Sequence, residues 1–149
     1  MIKKFLDLGL QPLANSYIEK KKLDKKEKKF NLEIGFNTKN YLVSILKTIP
    51  KEKMFNENYP YKTSESQTMK DSFKNLSKNI KKSYRPDMII EIGSNDGTFI
   101  KNFDKKIAIC VEPCKNIAKL TKKKKYKTFS EYWNLKLKKI TRKKKANLI

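Results

Sequence analysis

Two short apolar runs set the terms on which this chain can fold. Met88-Ile89-Ile90-Glu91-Ile92 ends at once in Gly93, and Lys106-Ile107-Ala108-Ile109-Cys110-Val111 ends in Glu112-Pro113. Each is too short for a helix and too continuously apolar for a strand with one wet face, which is how a strand buried on both sides reads. Between them Phe99, Ile100 and Phe103 give a short helical stripe. After them the pattern predicts a helix over 116–123, a strand over 126–129, a helix over 130–140 and, in Ala146-Asn147-Leu148-Ile149, the opening of a fourth strand. Strand and helix alternate from Asp87 onward, so this half should be a parallel α/β sheet.

Upstream the periodicity is different. Phe30, Leu32, Ile34 and Phe36 alternate, and Leu42, Val43 and Ile45 resume the pattern beyond 37–40. That is a small β-hairpin. Met69, Phe73, Leu76 and Ile80 lie four, three and four apart, which places them on one stripe of a helix over 68–82. Ser66 can cap its first turn. Pro86 marks the boundary between this helix and the sheet.

Composition removes several chemistries. The 149 residues contain no histidine, which excludes Ser-His-Asp and Cys-His catalysis and every imidazole acid or base. Lys and Arg number 37 against 15 acids, a formal charge of +22, and arginine occurs only at Arg85 and Arg142. Residues 114–149 concentrate this charge in the lysine runs 122–125 and 143–145. Such runs are either a phosphate-binding surface or the solvated face of a lysine-biased chain, and lysine excess elsewhere, as in 20–29, favours the second. Two cysteines, Cys110 and Cys114, fit neither a disulfide framework nor a zinc knuckle and are expected to be reduced and structural. No apolar run approaches the roughly 20 residues that span a bilayer, and the N-terminal stretch is broken by Asp7, so the expected location is the cytoplasm, with no membrane partner.

The chemistry-bearing stretch is Glu91-Ile92-Gly93-Ser94-Asn95-Asp96-Gly97-Thr98, set between a buried strand and a helix. One glycine lets the chain turn directly after the strand, and a second lets backbone approach a ligand. The stretch lacks the Gly-Lys-Ser/Thr of a P-loop, and its glycine spacing departs from the dinucleotide fingerprint. Glu112 closes the second strand, 21 residues after Glu91. A carboxylate at that place is where an adenosine ribose is held by its hydroxyls. Loop and acid together describe a nucleoside pocket at the carboxyl edge of a parallel sheet.

These residues, followed by Asn116-Ile117-Ala118, resemble class I S-adenosylmethionine-dependent methyltransferases, and in particular the branch that C-methylates nucleotide-linked deoxysugars. Leu6-Asp7-Leu8-Gly9 with Pro12-Leu13-Ala14-Asn15 resembles that branch's leader. Tyr59-Pro60-Tyr61-Lys62-Thr63-Ser64-Glu65-Ser66 resembles the segment joining its zinc-binding module to its catalytic domain. The resemblance implies an incomplete Rossmann-like α/β fold of three to four parallel strands with helices, preceded by a small hairpin and helix module. The segments would be a degenerate zinc-binding-type module over 1–62, a linker helix over 63–86 and the first half of a cofactor-binding domain over 87–149. It implies that Gly93, Ser94, Asn95, Asp96 and Gly97 surround the methionine part of S-adenosylmethionine, with Glu91, Thr98 and Pro113 flanking, and that Glu112 binds the ribose. Tyr59 and Tyr61 would line the mouth of the pocket, near the methyl group or a nucleotide-sugar substrate.

Three departures qualify that expectation. The branch's module uses two Cys-x-x-Cys pairs; the first would precede Met1 and the second falls on Asn37-Thr38-Lys39-Asn40, so zinc is not expected. A doubly wound methyltransferase sheet needs about seven strands, more than this length supplies. The branch's Tyr-His-Glu-His segment has no counterpart in a chain without histidine. No catalytic residue is therefore assigned, weak or no activity is expected of the chain alone, and a separately encoded C-terminal half is a candidate partner. A lysine-rich nucleic-acid-associating protein and a non-catalytic partner subunit are the alternatives. The scarcity of arginine and of aromatics at base-stacking spacing ranks nucleic acid low as a partner.

Overall fold

The computed structural model describes residues 1–141 and 145–149, which form two units, Met1–Met54 and Phe55–Ile149. Arg142 and two lysines of the run 143–145 lie outside the described residues.

The first unit is a three-stranded antiparallel sheet in the order β1-β2-β3, made of β1 (Ile2–Pro12), β2 (Lys29–Asn37) and β3 (Val43–Ile45), followed by a single helical turn, α1 (Lys51–Met54). The hairpin expected over 30–45 is β2 and β3. β1 is an addition. It pairs with β2 along nearly its whole length, with irregularities between Lys4 and Leu6 and between Asp7 and Leu10. Every one of its residues is exposed, so no alternation of buried and exposed positions announces it as a strand.

The second unit opens with α2 (Gln67–Tyr84), whose first turn is capped as expected by the Ser66 hydroxyl accepting from the Met69 N–H at 3.3 Å. Arg85 then takes a left-handed conformation, φ +42°, and Pro86 prevents the helix from resuming. The packing stripe differs by one position from the expected one. Leu76 is exposed and Ser77 is buried in its place, its hydroxyl donating to the Lys74 carbonyl. Ile80 packs against the core, and Phe73 stacks edge-on against Phe99, which stacks in turn on Phe103.

The sheet itself is parallel, in the order β4-β5-β6: β4 (Ile89–Ile92), β5 (Ala108–Val111) and β6 (Lys127–Phe129). Between β5 and β6 runs α3 (Lys115–Lys123), which buries Ile117, Ala118 and Thr121. Alternate residues of the central strands serve two cores. Ile89, Ala108 and Cys110 pack with Ile100, Phe103 and Tyr126, whereas Ile90, Ile109 and Val111 pack with Met88 and Leu137. This is why both runs read as continuously apolar. Leu148 lies on the other side of β4, bridged in parallel to Ile89, and its carbonyl accepts from the Ile90 N–H at 3.0 Å. The side-chain oxygen of Asn147 holds the Asp87 and Met88 amides at 3.2 Å each. The chain thus reverses direction across the sheet at β4, the point where doubly wound folds open a crevice at the carboxyl ends of their strands.

Two helical expectations are corrected. The stripe at Phe99 to Phe103 is a 3-10 turn, Ile100–Asn102, and the helix expected over 130–140 is a 3-10 segment confined to Leu135–Thr141. Residues 130–134 are irregular instead, because the Asn134 side chain accepts from the Lys136 N–H and donates to the Tyr132 carbonyl, closing local turns that compete with a helix. Among the described residues no helix is long and apolar enough to cross a membrane.

Candidate functional site

β4 delivers the chain to its carboxyl end at Ile92, and the loop 93–98 then folds back under backbone control. Gly93 and Gly97 sit at φ +72° and +81°, and Asn95, a residue that tolerates the left-handed region, at +47°. The two glycines serve different ends. A Cβ on Gly93 would meet nothing within 4 Å, so its requirement is conformational and the space beside it is open. A Cβ on Gly97 would come within 2.9 Å of the Thr121 methyl, so there glycine permits close packing of the loop on α3. The Gly93 and Ser94 amides both donate to the Val111 carbonyl, at 2.8 and 3.3 Å, which ties the start of the loop to the end of β5.

Three carboxyl groups gather beneath this loop in three different environments. Glu112 is 5% exposed; its Oε2 accepts from the Asn95 N–H and its Oε1 from the Cys114 N–H, both at 2.8 Å. Asp96 is buried, which disfavours its charge, but the Ser64 hydroxyl and N–H, the Thr98 hydroxyl at 2.6 Å and the Lys124 ammonium outweigh that and hold its carboxyl below the ordinary aspartate value. Glu91 has no such support. Burial pushes its carboxyl up to about 8, against a bond from the Ile100 N–H and with help from the charges of Asp96 and Glu112. Its Oε2 has no hydrogen-bond partner among the described residues.

The side chains of the loop also hold a second segment in place. Asn95 accepts from the Thr63 N–H at 2.9 Å and donates to the Tyr61 carbonyl at 3.2 Å, and Asp96 accepts from the Ser64 N–H at 3.2 Å. Asn116, at the start of α3, donates to the Tyr59 carbonyl at 2.7 Å. Segment 59–64 is therefore strapped across the carboxyl edge of the sheet by residues of the loop and of α3.

Strap, loop and strand ends line an open cavity of about 390 Å³, inside the range of small-molecule sites. Its walls are Phe55, Tyr59, Tyr61 and Thr63 on the strap side, Ile92, Gly93 and Asn95 on the loop, Val111, Glu112 and Pro113 at the end of β5, and Tyr132 and Trp133 beyond β6. The Tyr132 hydroxyl donates to the Phe55 carbonyl at 2.8 Å and joins two of these walls. Of the residues singled out in the sequence, Tyr59, Tyr61, Gly93, Asn95, Glu112 and Pro113 meet here. Glu91, Ser94, Asp96, Gly97 and Thr98 do not line the cavity; Ser94, Asp96 and Thr98 are buried, and Asp96 and Thr98 bond to each other beneath the loop. Sequence reasoning missed Phe55, Thr63, Tyr132 and Trp133. The aromatic pair Tyr132-Trp133 directly after a strand was a usable signal, masked by reading 130–140 as one helix.

One lysine of the run 122–125 and several outside the runs have structural partners. Lys124 donates to the Asp96 carbonyl at 2.9 Å and so braces the loop from α3. Lys81, Lys105 and Lys127 lie over the rings of Phe103, Tyr126 and Phe129.

Asn37 and Asn40 lie in the first unit, at the β2–β3 turn. Among the described residues no group of three or more Cys, His, Asp or Glu could hold a metal ion. Residues 1–55 match the family model Methyltransf_13, described as "Putative zinc binding domain", a module associated with methyltransferases. No curated protein matches the chain.

Proposed function

We propose that this chain is the S-adenosylmethionine-binding part of a class I methyltransferase that acts on a carbon of a nucleotide-linked sugar, and that alone it binds its cofactor with little or no methyl transfer. The observation that carries the reading is the convergence of Gly93, Asn95 and Glu112 with an aromatic wall in one cavity at the carboxyl ends of β4 and β5. The methyltransferase-associated module over 1–55 supports it independently.

The donor set suits such a ligand. Each oxygen of Glu112 keeps a lone pair beyond the amide it already accepts, enough for a ribose hydroxyl. Open space beside Gly93 lets a ligand lie against backbone. The rings of Phe55, Tyr59, Tyr61, Tyr132 and Trp133 offer flat apolar surface to a heterocycle and π faces to a cation. When bound, S-adenosylmethionine supplies an electrophilic methyl group on a sulfonium centre. The protein's part is to align and to exclude water, since an in-line displacement depends on positioning more than on proton transfer. Forming a carbanion on the acceptor would require a base. Glu112 is engaged by two amides and in this reading serves the ribose, and the other ionisable groups of the cavity wall are Tyr59, Tyr61 and Tyr132. Little or no turnover by the chain alone is the expectation that goes with this reading.

Calorimetric titration tests this. S-adenosylmethionine should give saturable heat with the wild type, and Gly93→Arg, which drives a long side chain into the cavity, should weaken binding about tenfold or more. No heat with the wild type, or the same heat with Gly93→Arg, sinks the proposal.

A further inference from the structure

The first unit matches a zinc-binding family, yet it offers zinc nothing to bind. Residues 1–55 contain neither cysteine nor histidine. Of their six acids, Asp7 and Glu33 share the Lys4 ammonium at 3.0 Å each and Glu19 pairs with Lys21 and Lys22, and among the described residues no three acids cluster where they could hold a metal ion. Neutral amide oxygens do not replace soft thiolates for this metal.

What closes the β2–β3 turn instead is a set of hydrogen bonds centred on two asparagines. The Asn37 backbone donates to the Leu42 carbonyl and accepts from the Tyr41 N–H, both at 2.8 Å, which pins the turn at its base. Inside it the Asn37 side chain accepts from the Lys39 N–H at 2.9 Å and the Asn40 side chain from the Leu42 N–H at 3.2 Å. Tyr41 is carried at φ +59°, a conformation unfavourable for its side chain that the surrounding bonds enforce, and its ring lies against Phe36. The turn is also clipped to the start of β1, where the Thr38 N–H and hydroxyl both donate to the Met1 carbonyl, at 3.0 and 3.1 Å.

We propose that this module folds without metal, and that Asn37 and Asn40 close by side-chain hydrogen bonds the turn that a zinc centre holds in a metal-bearing module. The two residues set backbone geometry and touch no ligand. The claim is independent of cofactor binding in the second unit.

The full-length chain, purified after growth with added zinc and dialysed, should retain far less than one zinc per molecule by elemental analysis. A chelator should leave its thermal unfolding unchanged. Amide exchange at Tyr41, whose N–H bonds to backbone and not to either replaced side chain, should quicken about fivefold in Asn37→Ala and in Asn40→Ala. Asn37→Asp and Asn40→Asp, which keep the accepting oxygen, should restore the wild-type rate. One zinc per chain surviving dialysis, a lower melting temperature with chelator, or wild-type exchange at Tyr41 in both alanine variants overturns the proposal.

Discussion

Glu91 is the side chain that the fold treats least generously. Its carboxyl is held at about 8 in the folded chain against an ordinary value of 4.5, so the native state keeps a proton that the unfolded chain releases. Stability is then greatest below about 4.5 and falls as pH rises toward about 8, because the unfolded state binds fewer protons across that window. Asp96 works the other way, since its depressed value makes a contribution that disappears as pH falls into the acid range. Glu91→Gln removes the ionisation and keeps the shape. Its melting temperature should exceed that of the wild type at pH 8, by the equivalent of a few kcal/mol, and match it near pH 5. A pH-independent difference between the two would show that Glu91 does not titrate in this window. Arg85 is a simpler case of residue-level strain. It holds a left-handed conformation with a Cβ, at φ +42°, so Arg85→Gly should stabilise the chain by about 0.5–1 kcal/mol in denaturant titration.

At the level of elements, α2 depends on a single side-chain cap, and Ser66→Ala should cost about 1 kcal/mol by the same measurement. The strap depends on Asn95, whose side chain alone makes two of its bonds. Asn95→Ala should raise the exchange rates of the Thr63 and Ser64 amides while leaving β4 and β5 protected. Equal acceleration throughout would instead mean that the variant unfolds globally. Elements differ in how far the sequence foretold them. β4 and β5 were legible because burial on two faces leaves an unbroken apolar run. β1 was not, since a strand exposed at every position carries no burial pattern and is specified by its pairing with β2. The stripe of α2 was legible to within one residue, and the exception is Ser77, a small polar residue that hydrophobicity does not mark as buried, in place of the exposed Leu76. The loop and Glu112 could be read from order and spacing, whereas the Tyr132 and Trp133 wall required knowing that 130–134 is irregular.

Across the whole molecule, burial is unevenly shared. In Met1–Met54 only Gly35 is buried, while the buried apolar residues from Met88 to Leu137 all belong to Phe55–Ile149. Amides of the first unit should accordingly exchange faster than those of β4 and β5, and heating should release the first unit at lower temperature. A single transition with uniform protection would contradict this. The net charge of +22 acts on both units. With 37 basic against 15 acidic side chains most positive charges cannot be matched by an acid, so added salt should raise the melting temperature by screening their repulsion.

Trp133 gives these experiments a common readout. It is the chain's only tryptophan, partly exposed, and it stands in the cavity wall beside Tyr132. Near-ultraviolet excitation chosen for indole therefore reports from one position in the cavity wall. Whether a ligand enters, the strap loosens or the second unit melts, the colour and intensity of one emission band will register it, with no label attached.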